Sequence, residues 1–180
     1  RRNALKPAWF WLTALDTLNR TGMRQNQLLH IRIIDVDLDN GWINLRPEGS
    51  KNHKEHRVPI TAKLRPRIEY LFNKSVERGA EMNDQLFNIS RFDGTLKVQS
   101  DNMDHPPLRA FFRRLSKDCG FTVSPHRFRH TIATNLMAQP DRNIKMAQVL
   151  LGHSTPAVTL EYVEADLNRV RMMLEDMEAA

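Results

Sequence analysis

The sequence predicts an α+β fold that is mostly helical, with a small three-stranded antiparallel sheet near the N-terminal third. Three observations carry this prediction. Apolar residues recur at helical spacing through most of the chain. Three alternating stretches lie close together at 31–36, 42–45 and 57–60. Asp39-Asn40-Gly41 then places a strong hairpin signal between the first two of them.

Each element has a local reason. Residues 8–20 form a helix, with Pro7 just inside its start and Thr21-Gly22 as its stop. A short second helix covers Gln25–Leu29, and the three strands follow. Thr61 caps a helix to about Arg78 whose core face carries Leu64, Ile68, Leu71 and Phe72. Tyr70 reads as an amphipathic residue of that helix. Residues 79–103 are irregular, with Phe87 and Phe92 as anchors. Leu108–Cys119 is helical and Gly120 is its C-cap. Pro125 opens a helix to about Met137 at a first-turn position that needs no N–H. Asn143–Leu151 is a shorter helix. Ser154 or Thr155 caps another that reaches Tyr162, and 166–177 is an amphipathic tail helix with Leu167, Val170, Leu174 and Met177 on one face.

At 180 residues the chain is expected to form one domain with a real core. Its 41% apolar and 27% charged residues exclude a wholly disordered chain. No apolar run approaches the roughly 20 residues that cross a bilayer. A lone Cys119 excludes an internal disulfide and a cysteine zinc cluster, and points to a reducing, cytoplasmic setting. The chain opens on Arg1 without a signal-peptide pattern, and an excised domain of a longer protein is the expectation. The net charge of +6 is uneven: the last twenty residues carry −4 and the first 160 carry +10. A basic body of this kind suits a polyanion, of which nucleic acid is the commonest.

Two metal readings fail on chemistry. Asp35, Asp37 and Asp39 have the spacing of a calcium loop, but Asn40 and Arg46 stand where that loop needs Gly and Glu. His126 and His130 are spaced as zinc ligands, but Arg127 and Arg129 lie between them and would repel a dication. No metal and no cofactor is expected. The remaining candidates are cationic and sit at turns and helix starts: Arg24 just past Gly22, Lys51 and Lys54 between two strands, the run His126-Arg127-Phe128-Arg129-His130, and His153 at a helix-to-helix turn nine residues before Tyr162.

Together these pieces resemble the catalytic domain of the tyrosine recombinases, the phage-integrase family. The matching pieces are TGMR at 21–24, SKNHKEHRVPI at 50–60, PHRFRHTIAT at 125–134, LLGHS at 150–154, and Tyr162. Each alone is weak; five in the family's order are specific. The resemblance covers nearly the whole chain and implies the family's catalytic-domain fold. Residues 1–165 would be the catalytic domain, and 166–180 a helical tail of the same domain.

The implied activity is a metal-independent, tyrosine-type site-specific recombinase that breaks and rejoins DNA through a 3′-phosphotyrosine, in integration or excision of a phage or mobile element. Strand exchange has to conserve the phosphodiester's energy, which a covalent tyrosine ester does. A free tyrosine, with a pKa of about 10, is a poor nucleophile at neutral pH. Guanidinium groups favour the phenolate and hold the phosphate oxygens that gain charge. By resemblance Arg24 and Arg129 are that clamp, His126 accepts a proton, and His153 donates to the phosphate. Lys51 is the general acid for the 5′-oxygen, and Tyr162 is the nucleophile. Lys54, Arg57, Arg127 and His130 are further candidates for DNA contact, with a structural helix role as the other reading of His130.

One departure from the family stands out. Gln27 occupies a position, three after Arg24, where the family often has an acid; its amide is able to hydrogen-bond the guanidinium but brings no charge. Met23 in place of a commoner leucine conserves volume. The implied partner is double-stranded DNA, with nucleoid association when bound. The family also implies a tetramer on DNA, the acidic tail at 166–178 docking on a neighbour; packing in cis as an isolated monomer is the other reading. The competing functions are a type IB topoisomerase, which shares the nucleophile, and a non-catalytic DNA-binding module of the same fold.

Overall fold

The computed structural model describes residues 2–49, 56–93, 100–138 and 144–152. The expected helices at 154–162 and 166–177, and with them Lys51, Lys54, His153 and Tyr162, lie outside the described residues.

The chain begins with α1 (Ala8–Thr21) and α2 (Gln25–Leu29). A meander of β1 (Val36–Asp37), β2 (Trp42–Leu45) and β3 (His56–Pro59) follows, then α3 (Arg65–Glu77), α4 (His105–Cys119), α5 (Pro125–Ala138) and α6 (Ile144–Leu151). The sheet order is β1-β2-β3, antiparallel throughout, with Ile43 opposite Val36 on one side and Val58 on the other. The fold class read from the sequence is therefore present.

α1 runs through the core. Phe10, Ala14 and Leu18 are fully buried, and Trp11 stacks on Phe111 of α4 with ring centroids 4.6 Å apart. Its buried threonines are tolerated because each hydroxyl donates one turn back: Thr17 to the Thr13 carbonyl and Thr21 to the Thr17 carbonyl, both at 2.7 Å. The helix ends where predicted, at a left-handed Gly22 (φ 65°) whose N–H donates to the Leu18 carbonyl.

Besides starts earlier by one residue in β3 and three in α4, two elements depart from the sequence reading. Residues 31–35 do not join the meander. Ile33–Asp35 form a 3₁₀ turn, closed by the Asp35 carboxylate accepting the Arg32 N–H at 2.9 Å. The backbone here pairs with the 82–86 segment instead: Ile33 N–H to the Asp84 carbonyl, Ile34 N–H to Met82, and Leu86 N–H to Ile31. The alternation at 31–36 was real as a burial pattern, but the side-chain cap won over the ladder. That pairing also orders residues 82–86 within the stretch read as irregular. There the buried Gln85 carboxamide donates to the Leu29 and Met103 carbonyls and accepts from the Met103 N–H.

The second departure is the start of α3. It begins at Arg65 rather than after Thr61, which contributes its carbonyl to the N–H groups of Leu64 and Arg65. Pro66 sits in the first turn, where no donor is needed. Leu64, Ile68 and Leu71 are buried as expected, and Tyr70 lies half-exposed, edge-on to Trp9. Among the described residues no helix is long and apolar enough to cross a membrane.

Candidate active site

The turn between α1 and α2 sets the first arginine. Gly22 is fully packed there: a Cβ on it would meet Leu151 Cδ2 at 3.1 Å and Ile132 at 3.5 Å. Arg24 follows in extended backbone as the N-cap of α2. Its main-chain N–H donates to Gln27 Oε1 at 2.8 Å. The Gln27 amide therefore fixes the backbone that carries Arg24. Gln27 is fully buried, and its Nε2 has no hydrogen-bond partner among the described residues.

Arg129 is the second arginine. It lies on the buried stripe of α5 with Ala133 and Met137, four residues apart. Only 6% of it is exposed. Nη1 donates to the Gly22 carbonyl at 2.7 Å and Nη2 to the Leu151 carbonyl at 2.5 Å. One guanidinium thus ties the turn before Arg24 to the last residue of α6, two segments more than a hundred positions apart in the chain.

β3 closes the group from the sheet side. His56 packs its ring against Gly152 so closely that a Cβ there would lie 3.0–3.3 Å from Cε1, Nε2 and Nδ1. Gly152 has φ 60°, a left-handed conformation that glycine alone adopts without strain. Burial first, and then the Arg129 and Arg24 guanidinium charges, push the His56 imidazole below the usual histidine range. Gly49, just before the undescribed 50–55 segment, is pressed onto α2: a Cβ on it would meet the Gln27 Cα at 2.8 Å, and Asn26 Nδ2 donates to its carbonyl. The residues flanking Lys51 are thus anchored, Gly49 on α2 and His56 on α6. Gly152, which precedes His153, is anchored by the same His56 contact.

The structure therefore brings together Arg24, Arg129 and the residues beside Lys51 and His153. His126 is exposed in the first turn of α5, three residues before Arg129, the spacing that puts two side chains on neighbouring positions of one face. Arg127 is exposed, with its main-chain N–H on the Ser124 hydroxyl. His130 is exposed and meets the Thr134 hydroxyl at 3.4 Å. Arg57 is exposed on the outer face of β3. His56 was not among the expected site residues. Its signal was nevertheless present, since residues 56, 58 and 60 share one strand face and Val58 and Ile60 are both buried. A strand read as starting at 57 left it out. Among the described residues no group of three His, Cys, Asp or Glu side chains is placed to hold a metal ion.

Comparison with known proteins identifies the family and the fold. Residues 8–169 match the family described as the phage integrase family. A protein of Pseudomonas aeruginosa named for tyrosine recombinase XerC is 43% identical over 173 residues, which is 96% of this chain and 40% of the relative. The chain thus spans well under half the length of that curated relative. A crystal structure of XerA recombinase superposes with a TM-score of 0.71 at 24% identity, covering 97% of this chain and 59% of that one. XerH site-specific recombinase bound to its difH substrate in a pre-cleavage complex gives 0.66 at 24% identity, covering 90% and 45%.

Proposed function

This chain belongs to the phage integrase family, and on that premise we propose that it is the strand-cleaving domain of a site-specific DNA recombinase. The observation that carries the proposal is the Arg129 clamp, which joins the Arg24 turn to the end of α6 while His56 joins the same end to β3. Four separate sequence segments meet at one cationic point, which is the arrangement a phosphodiester substrate requires.

In the proposed reaction the scissile phosphate binds against Arg24 and Arg129, with His153 as a further donor. Tyr162 attacks phosphorus, its proton passing to His126, and an O–P bond forms to the phenolic oxygen. The P–O5′ bond breaks, and Lys51 gives its proton to the leaving 5′-oxygen. The energy of the phosphodiester is kept in the 3′-phosphotyrosine, and attack by another strand's 5′-hydroxyl reverses the steps on a new partner. Fixed guanidinium charges supply the stabilisation of the pentacoordinate phosphate, each worth about 10²–10³ in rate. Lys54, Arg57, Arg127 and His130 contact the DNA backbone. The biological role is integration or excision of a phage or mobile element in the cytoplasm, at the nucleoid when DNA is bound. The working form is a tetramer joined through the acidic tail at 166–178.

The test is strand exchange between two duplexes carrying the ends of the native element. Recombinant products support the reading. Relaxation of a supercoiled circle without exchange would assign the domain to the topoisomerase alternative, and binding without cleavage to a non-catalytic module.

A further inference from the structure

His56 is half-buried beside two fixed positive charges, yet among the described residues no hydrogen bond explains an imidazole there. Its Nε2 is inaccessible to solvent and without a hydrogen-bond partner among the described residues. An apolar side chain would fill the same space against Gly152 with no unsatisfied nitrogen. The ring instead stands where α6 meets β3, in the field of Arg24 from the start of α2 and Arg129 from α5. On the sheet side it lines a cavity of about 400 Å³ with Asp35, Arg46 and Arg57, of which Asp35 and Arg46 are already paired at 2.7 Å. The end of α6 presents Gly152 to it, a residue without charge.

We propose that His56 is a positioning residue of the phosphate site that takes up a proton when the DNA phosphate enters. The inference rests on the reading of Arg24 and Arg129 as the phosphate clamp. Without DNA, partial burial and two nearby guanidinium charges disfavour the protonated imidazole, so the ring adds no third charge beside the arginines. A phosphodiester anion against those arginines offsets one of the charges that disfavours imidazolium. The ring then binds a proton from solvent, and its charge joins those of the arginines beside the newly bound anion. Linkage gives the sign: if phosphate raises the proton affinity of His56, protons raise the affinity for phosphate by the same factor. The histidine thus adds a third cation only when the substrate is there to pair with it. It also couples the strand that follows Lys51 to the turn that precedes His153.

The experiment is an NMR titration of the histidine ring protons of the full chain, with sulfate as the probe anion and sodium chloride of equal ionic strength as the control. The His56 signal is assigned by its contacts to Gly152 and checked by its loss in His56→Gln. In chloride it should titrate below the ordinary value of about 6.5. In sulfate its midpoint should rise by about one pH unit, and this rise should vanish in Arg24→Ala. Sulfate that moves the Arg24 and Arg129 Nε–H signals while leaving the His56 midpoint in place would overturn this inference and leave the clamp standing. Sulfate that moves none of the three would overturn both.

Discussion

The Arg129 guanidinium donates to the Leu151 carbonyl at 2.5 Å, so the second arginine of the site is held by the last residue of the helix that leads to His153. With its other terminal nitrogen on the Gly22 carbonyl, it also fixes the turn that carries Arg24. The residue proposed to bind phosphate is therefore also the fastener of the site.

Arg129→Lys tests this double role. Lysine keeps the charge but is not a planar fork able to reach two carbonyls. Because Arg129 is buried, the loss should cost about 3 kcal/mol of stability. Cleavage should fall by about 10²–10³. Urea unfolding and the initial rate of DNA cleavage measure the two; a lysine variant with wild-type stability would remove the fastening role.

Gly152→Ala should destabilise the fold by about 1–2 kcal/mol through its left-handed backbone alone. The added methyl also presses on the His56 ring. In a double-mutant cycle with His56→Ala, the pair should cost less than the sum of the single changes, since removing the ring relieves the clash. Strict additivity would mean that the two residues do not bear on each other.

Gln27→Ala removes the acceptor of the Arg24 main-chain N–H and leaves a void in a fully buried position. Stability should fall by about 2–3 kcal/mol. The cleavage rate should fall about tenfold as Arg24 loses its placement. Stability lost with no change in rate would show that the amide serves α2 and not the site.

The depressed His56 imidazole makes stability depend on pH. In the unfolded chain histidine takes a proton near pH 6.5, whereas the folded ring resists it. The unfolded state then binds more protons between the two values, so this contribution is present above about pH 6.5 and is lost as pH falls through the folded value. Urea midpoints measured from pH 7.5 down to 5.5 should drop more steeply for the wild type than for His56→Gln. Equal slopes would contradict the shift.

The legible part of the fold was the part fixed locally. Gly22 and Gly120 end their helices in the left-handed conformation, as their positions after apolar periodicity demanded. Asp39-Asn40-Gly41 turns β1 into β2. What escaped was decided by contacts distant in sequence. The pairing of Ile31–Ile34 with residues 82–86 depends on Gln85 reaching Leu29 and Met103, which no local pattern reports. At the candidate site, specific local contexts single out Arg24 and Arg129 in the sequence. Their meeting through backbone carbonyls was not legible there, because a carbonyl has no letter in the sequence. His56 was hidden by a strand boundary misplaced by one residue.

The central claim is that Tyr162 carries DNA covalently. The measurement is a denaturing gel of the chain and its Tyr162→Phe variant after incubation with nicked duplexes from the ends of its native element. The nick removes the short 5′-hydroxyl strand on cleavage and traps the intermediate. A DNA-linked protein band in the wild type that disappears in Tyr162→Phe is the predicted result. A band of equal intensity in both would place the nucleophile elsewhere and contradict the account.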